Sequence, residues 1–394
     1  MTMATALGLA VLDQYQKNAP NAPRAIAGEI DLRGWDFEGN PRVRLDGEWL
    51  FAPEQFVAPQ EKGGGEVHTI RVPSSWNQSE PRSAYGYGTY FLRIRLTPDM
   101  PHLALFVSDQ AIAWKLFVNG RLLADNGRPG KSRSETNPIR QPMVVPLSEE
   151  WDAAGGTIDL AFHISNYHYD VGGLINPVFI GLKSSMEKKR DGLHLNDGFL
   201  LGSLLIMAVY YGILSRFYKG DRSSWYFSWY CFLIALRVVT VAHYPERLIG
   251  WPAVSELSNK IEYLSFYLGL PIYLAFVEQL FGQESRHRLS VGFRIVGVLF
   301  AITVVALPSP IFMAWTTKPY QAITILGGLY ALWVFVRAFI RRRNGAGLAL
   351  GGMTIFLLFV VNDVLHANMI IRTAHLTPVG LMGTSKNSRK NMLS

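Results

Sequence analysis

The sequence predicts two regions of different fold class: an all-β sandwich, followed by an all-α bundle of transmembrane helices. Three observations predict this division. Short segments with alternating apolar and polar residues fill the first half, six long apolar stretches fill the second, and the charged stretch 186–191 lies between them. We therefore expect an N-terminal segment at 1–27, a β domain at 28–185, a linker at 186–197, a membrane region at 198–371 and a tail at 372–394.

Composition agrees with a membrane protein that carries a soluble part. The chain has 394 residues, which is room for about two domains, and its mean hydropathy is only +0.13 because the polar first half dilutes the second. A net charge of +8 would suit a soluble nucleic-acid-binding protein. Here, however, many basic residues lie in short loops between apolar stretches, where they are typical of topology signals. We expect no nucleic-acid partner, and the single Cys231 excludes an intramolecular disulfide.

The first half is predicted to consist of short strands. Residues 89–96 alternate clearly between apolar and polar, and residues 42–51 do so around a glycine turn. The pair Asn119-Gly120 between two apolar segments predicts a two-residue hairpin. Many short strands with Gly and Pro turns favour a β-sandwich. Further strands are predicted at 103–108, 113–118, 143–147, 157–165 and 178–182.

The second half contains six apolar stretches of the length, about 20 residues, that a helix needs to cross a membrane. They lie at 198–218, 225–243, 261–281, 291–312, 320–340 and 348–369. Basic residues are more frequent in the loops on one side, which is predicted to be cytoplasmic, so the β domain is expected on the other side. That basic side holds Arg216, Lys219, Arg222, Arg286, Arg288, Arg341, Arg342 and Arg343, whereas the other holds Arg247, Lys318 and Arg372.

Two features oppose this orientation. Lys183, Lys188, Lys189 and Arg190 precede the first stretch on the expected outer side, although long translocated domains obey the charge rule weakly. Residues 4–12 form a short apolar run without a preceding basic residue, so segment 1–27 is a poor match to a signal peptide and leaves the export of the β domain unexplained.

Five motifs follow one another in the β domain: Gly47-Glu48-Trp49, Val72-Pro73-Ser74-Ser75-Trp76-Asn77, Gly86-Tyr87-Gly88-Thr89-Tyr90, Leu116-Phe117-Val118-Asn119-Gly120 and Ile164-Ser165-Asn166. In this order they resemble the jelly-roll, galactose-binding-like domain that opens family 2 glycoside hydrolases. Together with the membrane region, the chain resembles the bacterial seven-transmembrane receptors with diverse intracellular signalling modules. The resemblance extends over nearly the whole chain from about Gly28.

The resemblance implies a multi-pass sensor in the bacterial inner membrane. Its periplasmic β domain is expected to bind a carbohydrate-like or other small-molecule ligand, and its helices to signal to a cytoplasmic output domain or partner protein; a homodimer is compatible with this interpretation. The family has seven helices, whereas no seventh apolar run follows His375. We therefore expect the chain to stop before the seventh helix and the output domain, through truncation or a frame shift near Gly383.

Carbohydrate sites combine exposed aromatic rings with a few planar polar side chains. We predict ligand contacts from residues of both kinds in Gly- or Pro-rich loops: Trp76, Asn77, Tyr85, Tyr87, Asn166, Tyr167, His168 and Asp170. The alternative is that Trp76 belongs to the sandwich core with Trp49 and Trp114, and that the tyrosines cap strand edges. His163 and His168 are an odd number of positions apart, so on a strand they would point to opposite faces. We therefore expect no metal site and no cofactor.

Ionisable residues inside a membrane are costly and often functional. Arg237, Glu262 and Asp363 are each predicted within about 10 Å of the outer end of their helices, at 1.5 Å per residue. One hypothesis is that they form an ion-pair cluster that couples ligand binding to helix rearrangement. The alternative is simple structural pairing.

The sequence does not predict an enzyme. The motifs HExxH, GxSxG and GxxxxGK[ST] and the kinase signatures are absent. Two alternatives to a receptor stay open. One is a membrane-bound enzyme, since His243, His366 and Asp363 are predicted near one membrane boundary. The other is a transporter accessory protein, although Pro271 interrupts the third stretch without a counterpart elsewhere.

Overall fold

The computed structural model describes residues 21–57, 66–79, 82–97, 102–147, 156–169, 171–218, 222–249 and 252–367. Side chains at 78, 79, 246, 247, 252, 253, 255, 310, 356 and 359–367 lie outside this description, which gives only the backbone there. The described residues divide into two compact units on either side of residues 194 and 195.

In its described part the β unit contains strands, one short helix and the beginning of a longer helix that continues into the second unit. The strands are β1 Glu29–Asp31, β2 Arg42–Arg44, β3 Gly47–Pro53, β4 His68–Val72, β5 Gly86–Arg95, β6 Leu103–Val107, β7 Ala113–Val118, β8 Arg121–Arg128, β9 Asn137–Pro138, β10 Met143–Pro146, β11 Thr157–Asn166 and β12 Val178–Leu182, and helix α1 is Trp76–Ser79.

The strands form two sheets, as predicted for a sandwich. The larger sheet has the order β4-β3-β5-β11-β7-β8-β9, with β1 paired in parallel with β5, and the smaller has the order β10-β6-β12-β2. The predicted strands at 113–118 and 178–182 match β7 and β12. Asn119 and Gly120 have φ angles of 49° and 86° between β7 and β8, so the predicted hairpin is present.

Alternation along the strands creates the core between the sheets. Trp49, Tyr90, Phe162 and Trp114 are fully buried there, with Phe162 against both tryptophans. Each large apolar side chain buried in this way contributes roughly 1.5–3 kcal/mol to folding. Trp49 also donates its Nε1 hydrogen to the Leu45 carbonyl at 2.8 Å, so its polar atom is satisfied inside the core.

The smaller sheet is covered on its outer face as well. Every residue of β6 is buried, because Phe106 and Phe179 on the outer face pack against Met186 and Leu193. Those two residues belong to helix α2, Lys183–Phe217. Residues 186–197, which the sequence predicted as a linker, are therefore helical, and Met186 and Leu193 extend the packing of the β unit.

The second unit is a bundle of helices. After α2 come α3 Ser223–Val241, α4 Tyr244–Ile249, α5 Pro252–Leu280, α6 His287–Ala306, α7 Ser309–Ile340 and α8 Ala346–Ala367. In the part whose side chains are described, five helices are long and apolar enough to cross a membrane: α2, α3, α5, α6 and α7. The sixth predicted stretch coincides with α8, whose second half is described only as backbone.

Helices α5, α6 and α7 meet around an interruption in α5. Pro271 has no N–H to bond the Tyr267 carbonyl one turn earlier, and Tyr320 of α7 instead donates its hydroxyl to that carbonyl at 2.6 Å. A Cβ atom on Gly297 of α6 would lie only 2.3 Å from Pro271 Cγ. The glycine thus allows α6 to approach α5 at the proline.

Candidate ligand-binding face

The outer face of the larger sheet carries residues that the strand register places side by side. His163 on β11 is paired with Thr89 on β5 and with Lys115 on β7. In the next row, Ala161 lies between Phe91 and Phe117. Because alternate residues of a strand point to opposite faces, these positions point away from the core that Phe162 and Leu116 occupy.

Four rings form a continuous cluster on this side. Phe56 lies 4.9 Å from Tyr87 and 5.1 Å from His163 between ring centroids, and it is stacked on the imidazole. His163 in turn lies 4.5 Å from Phe117. All four side chains are half-buried, so each keeps some surface open to solvent. We call Phe56, Tyr87, Phe117 and His163 the aromatic face.

The loop that carries Phe56 is held to the sheet by hydrogen bonds. Thr89 donates its hydroxyl to the Gln55 carbonyl at 2.7 Å and accepts from the Val57 N–H at 3.1 Å. His163 Nε2 lies 2.9 Å from the Val57 carbonyl, and since a carbonyl only accepts, Nε2 carries the proton. Burial lowers the pKa of His163, so the ring is neutral at pH 7 and its Nδ1 is an acceptor.

A second loop, 130–136, is tied to the end of β11. Ser165 accepts the Gly130 N–H at 3.1 Å, Tyr167 donates its hydroxyl to the Lys131 carbonyl at 2.5 Å, and His168 Nε2 donates to the Thr136 carbonyl at 3.1 Å. Burial raises the pKa of Tyr167, with smaller contributions from Tyr87, Glu54 and Glu135. Tyr167 thus fastens the loop 130–136 to the end of β11, and the charges of Glu54 and Glu135 act on its hydroxyl.

Trp76, predicted as an exposed platform, is fully buried. Its Nε1 donates to the Ala84 carbonyl at 3.2 Å, and its ring lies 5.8 Å from Phe51. The alternative, that Trp76 belongs to the sandwich core, is the arrangement that the structure has.

The two predicted asparagines hold loops together. Asn166 is 2% exposed, and its amide donates to the carbonyls of Ala84, Tyr169 and Val171 while its Oδ1 accepts from two backbone N–H groups. Asn77 Oδ1 accepts from the Ser75 hydroxyl and the Gly172 N–H. These contacts occupy both polar side-chain atoms of Asn166 and the Oδ1 of Asn77, so both asparagines help to shape the loops.

The other predicted residues are divided. Tyr87 belongs to the aromatic face, Tyr167 and His168 bind the backbone of the loop 130–136, and Tyr85 is 48% exposed outside the ring cluster. Asp170 lies outside the described residues. Within the described ranges no group of three His, Cys, Asp or Glu side chains is arranged to hold a metal ion.

Sequence reasoning missed Phe56, Phe117 and His163 as members of one face. A signal for two of them was present, because Phe117 and His163 occupy the outward phase of strands whose inward phase is apolar. Phe56 lies in a loop, and its return onto the sheet depends on the side chains of Thr89 and His163.

In the helical unit, two of the three predicted coupling residues are in contact. Arg237 Nη2 lies 3.8 Å from Glu262 Oε1, and Arg237 Nη1 donates to the Glu262 carbonyl at 3.0 Å. The Arg237 guanidinium also lies 5.1 Å from the Phe266 ring centroid. The side chain of Asp363 lies outside the description.

Comparisons with known structures concern the β unit. Beta-glucuronidase from Faecalibacterium prausnitzii is 17% identical, with 36% of this chain and 31% of that chain covered and a TM-score of 0.28. A glycosyl hydrolase family 2 member from Bacteroides cellulosilyticus is 14% identical, with 36% and 20% covered and a TM-score of 0.29. The chain thus spans less than a third of these proteins.

No curated protein matches the chain. The helical unit, in contrast, matches a family model. Residues 194–384 match the family described as 7TM diverse intracellular signalling. Together with the apolar helices, this match confirms the predicted resemblance: the membrane half of the chain is similar to the 7TM diverse intracellular signalling family.

Proposed function

We propose that the chain is the sensing part of a bacterial inner-membrane receptor. Its β unit lies on the periplasmic side and binds a carbohydrate-like ligand, and its helices pass the signal to a cytoplasmic signalling domain or partner protein. The observation that carries the binding proposal is the aromatic face, a row of four half-buried rings on one side of a sheet.

The chemistry of the aromatic face suits a sugar ring. A pyranose presents apolar C–H groups on its faces and hydroxyls around its edge, so it needs a flat apolar surface bordered by polar groups. Phe56 and Phe117 provide apolar surface on either side of His163. The ammonium of Lys115, the neighbour of His163 in the sheet, provides donors, and the Nδ1 of neutral His163 provides an acceptor.

The binding proposal is tested with the full chain in lipid nanodiscs. A glycan array identifies ligands, and isothermal titration calorimetry then measures the Kd of the best one. Phe56→Ala and Phe117→Ala should each weaken binding about tenfold, the equivalent of losing one ring contact.

Tyr85→Ala is the matched control, because Tyr85 is an exposed aromatic residue of the same unit outside the ring cluster. It should leave the Kd within about twofold, since isolated surface substitutions have small effects. Equal weakening by all three variants, or no glycan above background, would refute this assignment of the ligand face. Chemical change of the bound glycan would instead favour a membrane-bound enzyme.

The sidedness proposal rests on charge. The connection before α6 is basic, because Arg286 precedes this helix and Arg288 lies in its first turn. The connection between α7 and α8 is basic as well, since it contains Arg341, Arg342 and Arg343, and together they mark one side of the membrane as basic. Protease added to intact spheroplasts should cut the β unit, as detected by an antibody to residues 102–147. Protection in spheroplasts with cleavage only after lysis would place this unit in the cytoplasm and reject a periplasmic receptor.

A further inference from the structure

A row of stacked rings lies between α6 and α7. Phe293 of α6 lies 5.9 Å from Tyr330 of α7, and Tyr330 lies 6.0 Å from Trp333, with interplanar angles of 27° and 25°. Tyr330, Trp333 and Arg337 are three and four residues apart, so they share one side of α7. This side is within the last three turns of the helix, which ends at Ile340.

Tyr330 fixes the backbone at the start of α6. Its hydroxyl accepts the Arg286 N–H at 2.9 Å and donates to the Arg286 carbonyl at 3.2 Å. The Ser285 hydroxyl is a further partner at 2.9 Å. Because both backbone polar groups of Arg286 bind Tyr330, the position of Arg286 is fixed relative to α7.

Two guanidinium groups lie against the last ring of the row. The centroid of Trp333 is 5.4 Å from Arg286 Cζ and 4.7 Å from Arg337 Cζ. The indole thereby places two cations, one from each helix, around a single ring.

The carboxylates near this end of the bundle are engaged by other basic residues. Glu284 is 2% exposed and is held by Arg343 Nε at 2.9 Å and Arg341 Nη1 at 3.7 Å. Glu278 is held by Arg294 and by His287 Nδ1 at 2.5 Å. Among the described side chains, no carboxylate pairs with Arg286 or Arg337, so these two positive charges are uncompensated within that part of the chain.

We propose that Arg286, Trp333 and Arg337 bind the phosphate headgroup of an anionic phospholipid. Guanidinium groups bind phosphate oxygens through paired, charge-assisted hydrogen bonds, and tryptophan is enriched at the membrane interface. Two exposed apolar residues lie beside the site and are suited to contact acyl chains: Leu289, in the first turn of α6, and Val336, which precedes Arg337 in α7. Charge complementarity and this apolar border select a membrane lipid as the occupant.

The test uses the full chain in nanodiscs of phosphatidylcholine that contain a minor fraction of phosphatidylglycerol. Native mass spectrometry after release into detergent counts the phosphatidylglycerol molecules that stay bound. The double variant R286Q/R337Q should retain about tenfold less of this lipid than the wild type, because it loses two charged donors. The charge-conserving R286K/R337K should also lose binding, though less, because lysine lacks the paired donors.

R288Q/R342Q is the matched control. It removes the same charge from exposed Arg288, in the first turn of α6, and exposed Arg342, between α7 and α8, and neither makes a described ring contact. Retention within twofold of the wild type is expected. Equal loss in this control would reduce the site to a general basic surface, and equal retention of phosphatidylcholine by the wild type would reject anionic lipid. Competition by inorganic phosphate would identify a free anion rather than a lipid as the occupant.

Discussion

The two units bury their apolar residues in opposite ways. In the β unit the large side chains fill the space between two sheets, and few remain exposed in its described part. In the helical unit many, such as Ile206, Ile302 and Trp315, lie on the surface. An aromatic cluster that keeps surface open to solvent is therefore informative about function in the first unit, whereas in the second the polar side chains are informative.

Polar groups follow the same contrast. In the β unit a buried amide such as that of Asn166 is satisfied by backbone groups of nearby loops. In the helical unit the Tyr267 carbonyl is satisfied by Tyr320 of another helix, and Arg237 by Glu262 of another. The loops of the first unit are thus held locally, while the helices of the second depend on one another.

The largest expected effect is a loss of stability, and it distinguishes the buried apolar core of the β unit from the exposed apolar surface of the helical unit. Phe162→Ala should destabilise the β unit by about 3–5 kcal/mol, because it leaves a cavity between Trp49 and Trp114. Ile302→Ala, at a position that is 56% exposed on α6, should change stability by less than about 1 kcal/mol if lipid covers it. Chemical denaturation in detergent measures both. A large loss for Ile302→Ala would mean that protein, not lipid, packs there.

The sequence was sufficient to predict the general architecture because both signals are periodic. Strand alternation placed β7 and β12 correctly, and the length of the apolar stretches placed the helices. The packing of residues 186–197 was not predicted, because this segment contains many charges, yet Met186 and Leu193 pack on Phe106 and Phe179. Such packing depends on contacts between distant residues, which local composition does not encode.

The candidate site was predicted only in part, for a related reason. The residues that stood out in the motifs maintain the fold: a Cβ at Gly47 would lie 2.2 Å from the Ala25 carbonyl oxygen, Trp49 is core, and Asn166 holds loops. The aromatic face uses ordinary strand positions and the loop residue Phe56. Its assembly follows from strand register, which a single sequence does not fix.

A second prediction concerns the interrupted helix α5. Tyr320→Phe should destabilise the helical unit by about 1 kcal/mol, because the Tyr267 carbonyl loses its donor inside the bundle. In a Pro271→Ala background the restored N–H of residue 271 supplies that donor, so the same substitution should cost less. Thermal unfolding of the four proteins gives the coupling energy as a double-mutant cycle.

Pro271→Ala alone is the control for that cycle. It should be at least as stable as the wild type if the new N–H of residue 271 binds the Tyr267 carbonyl and Gly297 still packs against residue 271. Equal losses for Tyr320→Phe in both backgrounds would show that the hydroxyl does not replace the missing helix bond.

A third, smaller effect tests the ion pair of the helical unit. Glu262→Gln should cost less than about 1 kcal/mol, because interactions between membrane helices average about 0.6 kcal/mol and Arg237 keeps the Glu262 carbonyl and the Phe266 ring. Thermal unfolding checks this value.

The proposal that Arg237, Glu262 and Asp363 couple binding to signalling adds a further outcome. In a receptor that carries an output domain, Glu262→Gln and Asp363→Asn should reduce output and leave the ligand Kd unchanged, and unchanged output would leave simple structural pairing.

The smallest expected effect is a pH dependence confined to the β unit. Burial lowers the pKa of His163 below its ordinary value of 6.5. The hydrogen bond to Val57 opposes this shift, and the charge of Lys115 adds to it. The folded state therefore favours the neutral ring, whose stabilising contribution is complete above pH 6.5 and is lost as the pH falls below it toward the lowered pKa. Burial also lowers the pKa of His168, so both histidines act in the same direction.

Denaturation midpoints between pH 7.5 and pH 5, measured at about half-unit steps, should fall with pH in the wild type and fall less in His163→Gln, because that variant removes one titrating group. His102→Gln, at an exposed position, is the control and should keep the wild-type slope. An unchanged slope in His163→Gln would mean that this imidazole is as accessible to protons in the folded β unit as in the unfolded chain, contrary to its position between Phe56 and Phe117.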